Sequence, residues 1–194
     1  MTYISPLNFV HKTGKFGDYS EKNDNDILKV SEVSKLTIFQ IARYRNSEFD
    51  ISEITVDSLN LPSTLKSSSN SDTRILWLGP DNWLVFSSIL DLIVKEKKQF
   101  DEADFAITNI SHSRTIIELE GNLVNEVLKK GCPLDVNTFK EGDCANSVYN
   151  GITITIDFIS NKPNKVRILG LRSFSESLYH SITDACLEFG YKAI

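Results

Sequence analysis

The sequence predicts an α+β fold built mainly from antiparallel sheet with helices packed on it. Three observations carry that expectation. Pairs of strand-like runs, each followed by a run with helical spacing, recur about three times along the chain. A hairpin signal at 74–88 is apolar on both faces, as a central position in a covered sheet demands. The chain ends in an amphipathic helix with a capping signal before it and a glycine after it.

Taken in order, residues 1–33 are polar, with Gly14, Gly17 and the charged run "DYSEKNDNDILK". Their isolated apolar residues, Leu7, Phe9 and Phe16, follow no period, which reads as an N-terminal arm. "KLTIFQIARYR" at 35–45 alternates as a strand. The serine- and asparagine-rich stretch 57–72 reads as a flexible surface loop. In "RILWLGPDNWLVFSS", Pro80 suits the first corner of a tight turn and Asp81 or Asn82 the second. "SSILDLIVKEKKQF" then shifts to helical spacing, with Leu90, Ile93 and Val94 on one face and lysines at the negative pole.

"ADFAITNIS" and "RTIIELE" are strands, and 122–130 is a short helix stopped by Gly131, its apolar face made of Leu123, Val124, Val127 and Leu128. "GITITIDFI" and "VRILGL" form a strand pair across the turn "NKPNK". In the last helix Ser173 and Glu176 have capping-box spacing, Phe174, Leu178, Ile182, Ala185 and Phe189 recur as a stripe, and Gly190 ends it. The expected organisation is therefore an arm over 1–33 and one α+β domain over 34–194, open to division into two subdomains, with a flexible loop at 57–72.

Composition narrows the function classes. The 194 residues are 41% hydrophobic, enough for a packed interior. A net charge of -5, with no basic cluster beyond the broken Lys95 to Lys98 run, argues against nucleic acid as a partner. No stretch approaches the roughly 20 apolar residues of a membrane span, and the start "MTYISPLNFVHKTG" lacks the order of a secretory signal, so a soluble cytoplasmic chain is expected. Cys132, Cys144 and Cys186 are odd in number and widely spaced, which predicts free thiols. His11, His112 and His180 stand too far apart in sequence to offer a metal two imidazoles on one helical face.

The sequence contains neither G-x-G-x-x-G nor G-x-x-x-x-G-K-[ST], the usual phosphate cradles, and no G-x-S-x-G nucleophile elbow. Cys132 follows Gly131 near a helix end, where the dipole disfavours a thiolate. Ser111, His112 and Ser113 resemble a catalytic fragment, but neighbours in an extended segment point to opposite faces and cannot form a dyad. Two readings stand for this stretch: a His112 and Arg114 pair offered to a ligand or partner, or the polar start of a strand. His180, with Tyr179, marks either a partner-facing side of the last helix or a solvated face. Trp77, Trp83 and Phe86 around the hairpin turn are core or, less commonly, a platform for a flat ligand. No catalytic, cofactor-binding or metal residue is expected in this chain.

Five stretches, "SPLNF", "LWLGPDNWLVFS", "ISHSRTIIELEG", "LKKGCPLDV" and "RSFSESLYHSI", resemble the gamma subunits of heterotetrameric sarcosine oxidases, with an echo at Leu61-Pro62. "ISHSRTIIELEGNLVNEVL" is also similar to a stretch of the aminomethyltransferases of the glycine cleavage system, whose folate-binding domain the fold should share. Asn109 stands where that pattern has Asp, and no folate ligand maps onto this chain.

The resemblance implies a non-catalytic assembly subunit working with alpha, beta and delta subunits, chiefly alpha. Such a complex oxidatively demethylates sarcosine to glycine with O2 and tetrahydrofolate, giving hydrogen peroxide and 5,10-methylenetetrahydrofolate. The resemblance places FAD, FMN, NAD, zinc and tetrahydrofolate on the other subunits. The alternative is a stand-alone folate-binding or aminomethyltransferase-like protein.

Overall fold

A computed structural model describes residues 4–23 and 26–194. Met1 to Tyr3, Asp24 and Asn25, part of the expected arm, lie outside the described residues. In chain order the strands are β1 (Gly14–Phe16), β2 (Leu28–Glu32), β3 (Thr37–Arg43), β4 (Thr55–Val56), β5 (Leu59–Asn60), β6 (Ser67–Ser69), β7 (Thr73–Gly79), β8 (Asn82–Ser87), β9 (Phe105–Asn109), β10 (Arg114–Glu120), β11 (Cys144–Tyr149), β12 (Ile152–Asn161), β13 (Asn164–Leu171) and β14 (Tyr191–Ala193). The helices are α1 (Leu92–Glu96), α2 (Val124–Gly131) and α3 (Ser175–Leu187).

Two compact units result, one of Met1–Ser34 with Ser113–Ile194, the other of Lys35–His112. The first holds a seven-stranded sheet in the order β1-β14-β2-β10-β13-β12-β11, whose one parallel contact is β14 with β2. Alternation along the strands sends Ile117 and Leu119 of β10, Ile154 and Ile156 of β12 and Val166 and Ile168 of β13 into one core. Val127 and Leu128 of α2 and Leu178 and Ile182 of α3 complete it. Gly131 sits where a Cβ would come within 2.7 Å of the Tyr149 ring, so the close approach of α2 to β11 requires glycine.

The second unit is a five-stranded antiparallel sheet in the order β6-β7-β8-β3-β9, with β4 and β5 as a separate hairpin. Its core joins Phe39, Ile41, Ile75, Trp83 and Val85 to Leu92, Phe100 and Phe105. The tight turn follows the sequence expectation: Asp81, after Pro80, takes a φ of 57°, and Arg43 fixes it through a 2.6 Å contact from Nη2 to Oδ1. Leu84 and Phe86 on the opposite side of β8 are buried as well, so both faces of that central strand are covered.

Several expectations need correction. Residues 14–16 and 28–32, read as part of an arm, are strands, and Leu7, Leu28 and Val30 are core residues. Within 57–72 the chain forms β5 and β6, and the Trp83 indole N–H donates to the Pro62 carbonyl at 2.9 Å, which fixes this stretch to the unit. The face assigned to the first helix holds only in part: Ile93 packs against the core beside the buried Leu92, whereas Leu90 and Val94 are 75% and 68% exposed. No capping box forms at α3, because Arg172–Phe174 make a 3-10 turn and the helix starts at Ser175. Phe174, expected in the buried stripe, is exposed.

Candidate functional site

The serine and histidine stretch resolves into separate structural duties. The Ser111 hydroxyl accepts the Ile38 N–H at 2.9 Å and donates to the Asn109 side-chain oxygen at 2.8 Å. That same oxygen accepts the Ser111 N–H at 3.0 Å. Ser111 therefore closes the end of β9 onto β3, a turn role in which its hydroxyl is already committed. His112 and Ser113 are exposed, and Arg114 is half-buried with its pKa lowered by desolvation.

The other candidates for chemistry sit mostly in the core. Burial pushes the Cys186 thiol up to about 12, so it stays protonated near neutrality. Burial likewise raises Tyr149, whose hydroxyl donates to the Val127 carbonyl at 2.9 Å. Cys132 is buried with Sγ 3.3 Å from the Ser147 hydroxyl. Trp83 is buried and Trp77 packs against the same core, which makes the hairpin aromatics packing residues. His180 is exposed, in an open cleft of about 500 Å³ with Ser177, Asp184 and Tyr191. Tyr179, expected beside it on a partner-facing side, is instead buried. Among the described residues no group of three His, Cys, Asp or Glu is placed to hold a metal ion.

What the sequence did not expose is a strap made by residues 4–11 across α3. Ser5 accepts the Leu7 N–H at 3.0 Å and donates to the Glu32 carboxylate, while Leu7 inserts fully into the core. The Ser175 hydroxyl donates to the Pro6 carbonyl at 2.9 Å, and Arg172 Nη2 to the Ile4 carbonyl at 2.6 Å. His11 Nδ1 lies 2.9 Å from the Tyr179 hydroxyl, which burial raises to about 12. The stretches "SPLNF" and "RSFSESLYHSI" are thus one bonded unit; the buried Leu7 in a polar run was the signal available for it.

A second unexpected feature lies in the other unit. Ile93, Val94 and Phe100 line an open cleft of about 520 Å³ rimmed by Lys97, Lys98 and Glu102. Val94, which lines it, and Leu90, just ahead of α1, are the most exposed large apolar side chains among the described residues of this unit.

A family model described as the sarcosine oxidase, gamma subunit family matches residues 47–188. The chain belongs to that family. The sarcosine oxidase subunit gamma of Corynebacterium sp. (strain U-96) is 28% identical over 123 residues, 61% of this chain and 58% of the relative. That of Corynebacterium sp. (strain P-1) is 28% identical over 128 residues, 63% of this chain and 61% of the relative. The match to these gamma subunits thus spans about three-fifths of their length.

Among solved structures, a chain of the heterotetrameric sarcosine oxidase from Corynebacterium sp. U-96 in complex with pyrrole 2-carboxylate superposes with a TM-score of 0.80 at 22% identity, covering 96% of each chain. The glycine cleavage system aminomethyltransferase T from Bartonella henselae gives a TM-score of 0.69 at 12% identity, over 97% of this chain and 58% of that one. The gamma-subunit family member thus has an α+β fold of mostly antiparallel sheet shared with both proteins. No described helix is long and apolar enough to cross a membrane.

Proposed function

We propose that this chain is the gamma subunit of a heterotetrameric sarcosine oxidase and acts there, in the cytoplasm, as a non-catalytic assembly subunit. The alpha, beta and delta subunits are its partners, with alpha the chief contact. The complex converts sarcosine, O2 and tetrahydrofolate to glycine, hydrogen peroxide and 5,10-methylenetetrahydrofolate, and its FAD, FMN, NAD, zinc and tetrahydrofolate sit on the other subunits. The family match over 47–188 carries this reading. Supporting it, the Cys186 thiol and the Tyr149 and Tyr179 phenols are held protonated by burial, as packing groups rather than acids or nucleophiles.

Co-expression of the four chains tests the proposal: a stable complex that loses integrity or activity without this chain is expected. A fully active complex that assembles equally well in its absence would sink it. The isolated chain should show no visible absorption, because no flavin resides on it.

A second reading, a stand-alone folate-binding protein, draws on the fold likeness to aminomethyltransferase T. Against it, the Asn109 oxygen is committed to Ser111. Calorimetric titration of the isolated chain with tetrahydrofolate separates the two, since binding heat is expected only on the second.

A further inference from the structure

We infer that Arg114, where the start of β10 meets the end of β13, is the anchor by which a carboxylate of a partner subunit docks on this chain. The inference rests on the assembly reading above and names one contact by which assembly would hold. The other half-buried arginines have acceptors within the chain: Arg43 meets Asp81, Arg74 the Ser67 and Ser69 hydroxyls, Arg167 Glu118, and Arg172 the Ile4 carbonyl. Arg114 alone among them donates from its guanidinium to no described residue. Burial lowers its pKa below the ordinary arginine value, and no carboxylate of the chain counters that effect. A guanidinium that has lost water and gained no acceptor carries an uncompensated desolvation cost. A carboxylate supplied by a partner removes that cost, and its two oxygens match the fork of the group.

The surroundings decide what brings that carboxylate. Leu171 lies directly opposite Arg114 in register, so the two side chains share one face at the strand ends. The next residue, Arg172, donates its N–H to the Ser113 carbonyl at 2.9 Å and ties Ile4 to the same corner through its side chain. Residues 113–117 and 158–175, which build this corner, contain no Asp or Glu in a chain of net charge -5. Glu32 is opposite Ile117, on the alternate face from Arg114, and its carboxylate accepts from Ser5. Glu118 is taken up by Arg167 and Lys165, and Glu176 stands exposed in the first turn of α3. Leu171, Phe174 and Ile4 leave exposed apolar surface around the unpaired charge. A free anion would answer the charge and leave those side chains in water, whereas a protein segment covers both. An arginine beside apolar contacts is also the usual composition of an interface centre.

The test uses the co-expressed four-subunit complex, with retention of this chain read by size-exclusion chromatography and its affinity by titration. Arg114→Met keeps the apolar stem and removes the charge. It should weaken binding about tenfold or more and make the salt dependence shallower. The thermal midpoint of the full chain alone should stay level or rise, since the uncompensated desolvation cost leaves with the charge. Arg114→Lys should bind with intermediate strength, because an ammonium lacks the fork. The control Lys140→Met makes the same change of net charge at an exposed site ahead of β11 and should bind as the unmodified chain does. A thermal midpoint that falls in Arg114→Met along with its binding would make Arg114 a residue of the fold and overturn the inference. Equal affinity of Arg114→Met, in a complex that the unmodified chain joins, would overturn the anchor and leave the assembly reading standing. Failure of the unmodified chain to join would overturn both. Sodium phosphate that, at constant ionic strength, raises the thermal midpoint of the unmodified chain but not of Arg114→Met would also overturn the inference by assigning the guanidinium to a free anion.

Discussion

His11 holds Tyr179 across a sequence separation of 168 residues, its Nδ1 2.9 Å from the buried phenol oxygen and its rings in a T-shaped contact at 5.5 Å between centroids. The second ring nitrogen, Nε2, lies 3.1 Å from the Ile194 carbonyl oxygen. A neutral imidazole satisfies both: Nε2–H donates to the carbonyl and Nδ1 accepts the phenol hydrogen. One side chain thereby fastens the strap to α3 and to the residue after β14.

His11→Ala should lower stability by about 1–2 kcal/mol, the net worth of two hydrogen bonds with one buried partner. Urea denaturation followed by circular dichroism measures it. Tyr179→Phe in the same assay closes a double-mutant cycle, and a coupling energy of about 0.5 kcal/mol or more is expected if the two groups act as a pair. Additive losses would show that the imidazole stabilises only through Ile194.

The charge ladder across β2, β10 and β13 predicts a pH profile. Glu120 sits opposite Lys165 and Lys29 in register, at 2.6 Å and 2.8 Å, and Glu118 meets Arg167 at 2.8 Å. Hydrogen bonds from Lys165 and then Lys29 hold the Glu120 carboxyl below its ordinary value of 4.5. Its contribution is complete above that value and fades as pH falls through the lower folded one. Lys165 is raised above 10.5, first by its bond to Glu120, so its contribution is complete below 10.5 and fades as pH rises through the folded value. Thermal midpoints across pH should therefore fall at both extremes. Glu120→Gln should flatten both limbs, because it also removes the bond that raises Lys165, while Lys165→Met should flatten the alkaline limb and only part of the acid limb, because Lys29 still lowers Glu120.

Local patterning made much of this fold legible. β3 and β12 announce themselves by alternation, β7 and β8 as runs apolar on both faces around a tight turn, β9, β10 and β13 as short strand-like runs, and α2 and α3 by repeated apolar spacing. β1, β2 and β14 do not, because each is short and finds its partner far along the chain: Phe16 opposite Tyr191, Leu28 beside Tyr191, Val30 opposite Leu119. α1 spans only five residues, too short for spacing to decide which side is buried, and Phe100 with Leu92 took the core. Ser173 had the spacing of a cap, but Ser175 donates instead to Pro6, a partner no local rule could supply. The strap and the open cleft beside α1 both depend on tertiary contacts or on exposure, which a one-dimensional pattern does not contain.

Gly131→Ala sets two effects against each other. Alanine gains about 0.5–1 kcal/mol of intrinsic helix preference over glycine. Against that, its Cβ would meet Cε1 of Tyr149 at 2.7 Å, and the ring is fully buried with its hydroxyl tied to Val127. A buried, tethered ring has nowhere to move, so overpacking of about 1–3 kcal/mol should win and the variant should be less stable. Equilibrium unfolding decides the sign; a stabilised variant would mean that α2 shifts freely away from β11.

The three cysteines give a test of core integrity that needs no substitution. Cys132, Cys144 and Cys186 are all free and buried, and the Cys186 thiol is raised to about 12 by burial, so both access and thiolate fraction oppose reaction. Ellman's reagent at neutral pH should modify none of them promptly in the folded chain and all three in denaturant. The modification rate of Cys186 should follow opening of the core around α3, since Leu178, Ile182 and Tyr179 surround that helix face. His11→Ala, by loosening the strap beside Tyr179, should accelerate labelling of Cys186 more than of Cys144. Equal acceleration at both would mean that the strap acts on global stability alone and does not guard the α3 core locally.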